Sequence, residues 1–280
     1  MRRDGGTEEA FRTAFGVEPA VIEAEVRAYV AKFTFPAIEV SFSDEIGARL
    51  TTATTTLPES EAMGYLGDML ARIGDAPAAR TALEETTRED ATAARPRAAL
   101  GLLELRESRV DEAVRLLEQA TRLSPDEPAF AAALGRALIE RATGPDVGAA
   151  KRTTALQQAR AALASATERS PDTAQSLALL GYVEMALRDD PARAVALLQK
   201  AAGLAPAREN YRLMLGTAFG VAGLFDQATR EFGQLAARGS RPEVRQAARD
   251  GLAQVADIRQ PKLPLRAVGA NEQRVLGQLQ

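Results

Sequence analysis

An all-α fold, a right-handed solenoid of about five helix–turn–helix repeats, is what the sequence predicts, and three observations carry it. Leu-Gly pairs recur at Leu66-Gly67, Leu100-Gly101, Leu134-Gly135, Leu180-Gly181 and Leu215-Gly216, with glycines 34, 34, 46 and 35 residues apart. A second helical pattern follows each pair, aligned on Ala79, Ala113, Ala159, Ala194 and Ala228; four residues on come Leu83, Leu117, Leu163, Leu198 or Phe232. Pro125, Pro171 and Pro206 then end the second to fourth units, because proline cannot continue a helix. A fixed period of this length marks stacked supersecondary units, none of which buries its apolar face alone.

The predicted organisation is a mainly helical N-terminal segment over 1–56, repeats over 57–241, a capping helix over 242–259 and an extended tail over 260–280. In the first segment, Thr7, Glu8 and Glu9 suit a helix start, and Ala10, Phe11, Ala14 and Phe15 form one apolar face that Gly16 ends. Pro19 opens a second pattern with Val21, Ile22, Val26, Tyr29 and Val30 on one side. From Phe33 to Ser43 the period becomes two, which fits a short strand or extended stretch, and the β-branched polar run 51–56 reads as a linker.

Within the repeats the glycines need a physical reason. A mid-helix glycine costs about 1 kcal/mol against alanine, so five cost on the order of 5 kcal/mol. Close approach of the second helix, with Ala113 and Ala120 presenting small surfaces, is expected to offset that cost. Leu100, Leu103 and Leu117 then each bury roughly 1.5–3 kcal/mol of apolar surface. The third unit carries an insertion over 142–154, with Ala149 to Thr154 extending its second helix. Pro242 opens the last helix, with Val244, Ala247, Leu252 and Val255 inward.

The recurring frame resembles the tetratricopeptide repeat over about 58–241, although the usual aromatic early in the first helix is replaced by Met63, Arg97, Ala131, Leu177 and Arg212. In that family the first helices line a concave binding face. The resemblance implies a peptide- or protein-binding groove at Asp68, Arg72, Leu102, Leu105, Arg106, Arg136, Ile139, Glu140, Gln175, Tyr182, Met185, Asn210 and Thr217. Arg106 and Arg136 give the groove positive charge, while Leu102, Leu105, Tyr182 and Met185 give it apolar area. Such a surface suits an extended or helical peptide with an acidic group. Residues 5–42 resemble the C-terminal end of zincin-like peptidase domains of the peptidase-MA type, without the His-Glu-x-x-His helix. That resemblance implies an alternative: the C-terminal portion of a metallopeptidase whose catalytic domain is absent from this chain, with the repeats recruiting substrate or partner.

Composition narrows the chemistry further. The 280 residues contain no cysteine and no histidine, which removes disulfides, thiol nucleophiles, imidazole acid–base catalysis and ordinary zinc sites. Neither a cofactor nor a metal is expected. A net charge of −3 offers no basic field for nucleic acid, and no apolar run is long enough for a membrane span. Gly216-x-x-x-Gly220-x-x-Gly223 lacks dinucleotide spacing and follows no strand, so helix packing and a turn explain it. The expected role is a non-catalytic scaffold for another protein or peptide, with self-association possible and localisation open.

Overall fold

A computed structural model describes residues 56–259 continuously and, before them, residues 12–13, 16–18, 20–22 and 24–25. The chain divides into two compact units, Met1–Thr56 and Leu57–Gln280. In the first unit, Gly16 adopts φ +70° and its N–H donates to the Arg12 carbonyl at 2.8 Å, a left-handed stop to a helical turn. The extended stretch expected over 33–43 and the tail over 260–280 lie outside the described residues.

The second unit is helical throughout its ordered elements: α1 Glu59–Arg72, α2 Ala76–Glu89, α3 Ala94–Arg106, α4 Val110–Leu123, α5 Pro128–Thr143, α6 Ala149–Arg169, α7 Ala174–Leu187, α8 Pro191–Leu204, α9 Glu209–Val221, α10 Phe225–Arg238 and α11 Pro242–Arg259. Among the described residues there is no strand. Each pair packs as a hairpin against the next, as a solenoid requires. Helix starts are locally encoded. Asp75 and Asp190 accept from the N–H groups of Ala78 and Arg193 at 3.1 and 2.9 Å, each with a proline in the first turn.

The Leu-Gly glycines do what their cost demands. A methyl added at Gly67, Gly101, Gly135, Gly181 or Gly216 would lie 2.4–2.7 Å from the side chain of Leu83, Leu117, Leu163, Leu198 or Phe232 respectively. The second-helix alanines are buried beside them, but the group seated over each glycine is the large side chain four residues on. Ala113 contributes chiefly its carbonyl oxygen, 3.2 Å from the position of a methyl on Gly101. The packing is therefore a leucine knob in a glycine hole. In the fifth repeat the knob is Phe232, and its ring is held between Gly216 and Gly251 of α11, both of which would be overlapped by a methyl at 2.7 Å.

Turn geometry repeats as well. Seven residues after the glycine, Gly74, Ser108, Arg188 and Gly223 all take positive φ, between +59° and +97°. The third repeat breaks this rule. There α5 continues through Ala142 to Thr143, and α6 begins ten residues before Ala159, where the other second helices begin three before their alanine. The insertion thus lengthens both helices of one hairpin, and Asp146 supplies the left-handed residue instead, at φ +61°.

Helix α11 buries Val244, Ala248 and Val255, with Gly251 between them. Ala247, expected inward, is exposed, because a face spaced by four, three and four residues passes through 248 and 251.

One polar joint makes stability depend on acid. Asp90 ends α2, accepting from Ser60 Oγ of α1 at 2.7 Å and from Thr92 Oγ1 and N at 2.7 and 2.8 Å. The Thr92 hydroxyl first, then that of Ser60, draws its carboxyl from 3.8 down to about 2. Such a depressed group contributes stability above its unfolded value and loses it as pH falls through the folded one. The melting temperature is expected to hold from pH 7 to 5 and drop between about pH 4 and 2. Asp90→Asn should make that drop shallower, and a melting temperature that rises on acidification would refute the assignment.

Candidate functional site

The first helices α1, α3, α5 and α7 share a depression of about 560 Å³. Arg72, Arg106 and Arg136 line it together with Leu102, Leu179 and Gln175. Their order follows from the repeat: Leu102 and Arg136 each follow the glycine of their pair, so close packing of that glycine aims the next residue onto this face. Asp68 also follows its glycine. Its carboxylate lies 2.7 Å from Arg72 Nε and 3.6 Å from Arg106 Nη2. Arg136 meets Glu140 one turn on at 3.2 Å. Three guanidinium groups therefore face two carboxylates, and the arginines keep 38–64% of their side-chain surface in solvent. The depression can pair with an anionic group while Leu102 and Leu179 cover apolar surface beside it.

The expected groove residues divide into those at this depression and those elsewhere. Arg72, Leu102, Arg106, Arg136 and Gln175 line it, and Asp68 braces two of its arginines. Leu105 does not reach the surface: at 4% exposure it belongs to the core around Leu117 and Leu138, because α3 is packed from both sides. Ile139 and Tyr182 are half-buried against that same core, and Met185 against the C-terminal one. Asn210 is exposed, and so is Thr217, whose hydroxyl donates to the Leu213 carbonyl at 3.1 Å. Glu140 borders a different depression of about 630 Å³, formed where the insertion's Val147, Lys151 and Thr154 face Val110 of α4.

Two arrangements escaped the sequence reading. Arg95 of α3 lies 4.1 Å from the Tyr65 ring and 5.2 Å from the Phe130 ring, with Glu61 at 3.0 Å and Glu127 at 3.5 Å. This clasp ties α1, α3 and α5; the only sequence trace is that Glu61 and Arg95 stand one repeat apart. The second is a pair of buried glutamates three residues after the glycine in repeats two and four. Glu104, at 3% exposure, accepts from Arg80 and Arg109. Burial, its strongest single influence, pushes that carboxyl up, but the hydrogen bonds and charges of Arg109 and Arg80 together hold it below the ordinary glutamate value. Glu184, at 1% exposure, lies 3.7 Å from Arg160 and 3.3 Å from Arg193.

Among the described residues no group of acidic side chains is disposed to hold a metal ion, and no helix is long and apolar enough to cross a membrane. Residues 57–259 fold as a tetratricopeptide-type helical solenoid. Residues 98–151 match the family model described as "Tetratricopeptide repeat". No curated protein matches the chain. Solved structures similar to it include TTC0263, a thermophilic TPR protein of Thermus thermophilus, at 20% identity over 69% of this chain and 99% of that one, TM-score 0.52. PilF of Pseudomonas aeruginosa is similar at 17% identity over 76% and 97%, TM-score 0.53. YrrB, described as a TPR protein with an unusual peptide-binding site, is similar at 13% identity over 67% and 90%, TM-score 0.54. Such proteins are in general protein-interaction scaffolds. The comparisons lend no support to the peptidase resemblance of residues 5–42.

Proposed function

We propose that this protein is a non-catalytic scaffold that seats a peptide segment of a partner protein across α1, α3, α5 and α7. The single observation that carries this reading is the depression in which Arg72, Arg106 and Arg136 stand beside Leu102 and Leu179. An acidic side chain or chain terminus of the ligand would meet Arg106 and Arg136 through charge-assisted hydrogen bonds, and an apolar neighbour would cover Leu102. The peptide-binding site named for YrrB supports the reading at the level of the fold.

The test is a displayed library of acidic and neutral peptides screened against the wild type and an Arg106→Glu, Arg136→Glu double variant. Selected peptides are expected to carry an acidic residue next to an apolar one and to lose at least tenfold in affinity for the variant. Both arginines are exposed, so its melting curve should match the wild type. Peptides that bind both proteins equally would remove these arginines from the site.

A further inference from the structure

The N-terminus of α7 opens on the depression, through Thr173, Gln175 and Ser176, with donors that nothing uses. Among the described residues no carbonyl or side chain accepts from the N–H groups of Ala174, Gln175 or Ser176. Thr173, which precedes the helix, makes no side-chain cap, and its hydroxyl pairs with that of Ser170 at 2.7 Å. The other first helices each have a carboxylate at this place. Glu59 and Glu61 stand in the first turn of α1, and Glu61 also accepts from the Arg95 N–H of α3 at 3.4 Å. Glu127 accepts from the Ala129 N–H of α5 at 3.4 Å, and Glu209 opens α9. No acidic residue lies in the first turn of α7, and Asp172, just before it, pairs with Lys200 at 3.0 Å.

Ser176 points independently to a ligand. It is 4% exposed, and its hydroxyl has no partner among the described residues. Of those residues' side-chain oxygens and nitrogens, Glu184 Oε1 alone is both fully enclosed and unpaired. Ser176 Oγ therefore reaches open space, and that space is the depression. Five residues before the glycine, where Ser176 stands, the other repeats carry Ala62, Pro96, Phe130 and Tyr211. Burying a hydroxyl without a partner costs stability that an apolar side chain would keep.

We infer that the N-terminus of α7 is a second anion subsite of the groove. A carboxylate of the bound peptide accepts there from the Gln175 and Ser176 N–H groups and from the Ser176 hydroxyl, on the positive end of the helix dipole. The inference rests on the groove proposed above and narrows its ligand to a peptide with two acidic side chains. One meets Arg106 and Arg136, and the other caps α7. Charge agrees: Arg72, Arg106 and Arg136 exceed Asp68 and Glu140 by one, and the helix end adds about half a charge, which nearly balances two carboxylates.

The displayed library selected on the wild type is expected to return peptides with two acidic residues. In the best binder each acid is replaced in turn by its amide, and each change should cost about tenfold in affinity. Ser176→Pro removes the hydroxyl and the N–H together and has its precedent in Pro96, at the same frame position of α3. It should bind the two-acid peptide and one of the amides equally, while Arg106→Glu with Arg136→Glu abolishes the preference for the other acid. Ser176→Ala should weaken the two-acid peptide severalfold without lowering the melting temperature. Gln175→Glu copies Glu61 of α1 and fills the helix end from within. It should raise the melting temperature and bind that same amide better than the acid. Selection of single-acid peptides, or α7 variants that still discriminate both amides, overturns the subsite and leaves the arginine groove standing. A second-acid preference lost in Ser176→Pro but untouched by the arginine variant keeps the subsite and removes the groove reading. A selection that returns no binder removes both.

Discussion

Gly101→Leu is expected to abolish the cooperative unfolding of the repeats around it, and Gly101→Ala to lower the unfolding free energy by about 1–2 kcal/mol. A Cβ at 101 would stand 2.7 Å from Leu117 Cγ and 3.2 Å from the Ala113 carbonyl oxygen. Neither can retreat freely, since Leu117 and Ala113 are both 0% exposed. Alanine gains about 1 kcal/mol of helix propensity, but overpacking a filled core costs about 1–3 kcal/mol, and the clash wins. Leucine adds three more carbons to the same collision. The cause can be isolated. Leu117→Ala alone should cost about 2–5 kcal/mol as a cavity. Combined with Gly101→Ala it should cost less than the sum by about 1 kcal/mol, because the added methyl then fills space that the leucine vacated. Denaturant titrations of the four proteins decide the matter, and strict additivity would show that the Gly101–Leu117 contact is not what the glycine is for.

Glu184→Leu should raise the unfolding free energy by about 1 kcal/mol or more. Three residues after the glycine, the other repeats carry Leu70, Leu138 and Phe219, so an apolar side chain fits this position of the fold. Glu184 instead places a carboxylate at 1% exposure, with its arginines at 3.3 and 3.7 Å and no hydrogen bond to Oε1. A buried charge held by ion pairs alone leaves its desolvation poorly compensated. Arg193→Ala in the wild type should destabilise by about 1–2 kcal/mol, an amount reduced because Arg193 is half exposed, and should be nearly silent beside Glu184→Leu. Glu104→Leu is the internal control. With hydrogen bonds from both Arg80 and Arg109, Glu104 is better satisfied, and its replacement should gain less. Equal gains at 104 and 184 would mean that hydrogen-bond satisfaction does not separate the two sites.

The periodic part of the fold was legible because it rests on contacts that recur. The Leu-Gly pair and the apolar residue beyond the second-helix alanine touch in every repeat, so their spacing records the contact directly. Leu105 and Leu102 show where that reading stops. Both are apolar residues on α3, but one packs into the core with Leu117 and Leu138 and the other lines the depression. Ser108 and Arg188 carry the same limit. They occupy the left-handed turn that Gly74 and Gly223 fill elsewhere, and neither residue type announces it. The candidate site divides likewise: Arg72, Arg106 and Arg136 line one depression, whereas Tyr182 and Met185 are taken up by half-buried packing.

The sequence by itself determined that this protein is a stack of helical hairpins, how many there are, which glycines admit their neighbours, and where one hairpin is lengthened. Each of these follows from local chemistry repeated at a fixed interval. The tertiary structure alone decided which charged groups are enclosed and what remains open. Arg80 meets Glu104 across 24 residues of chain, Arg95 finds two rings on different helices, and Phe232 has room because Gly251 of α11 faces it. None of these contacts repeats along the whole stack, so no period betrays them. The apolar face of α1 is the plainest instance. Its residues fit the frame as well as those of the buried first helices, yet Leu66 and Met69 are 40% and 52% exposed.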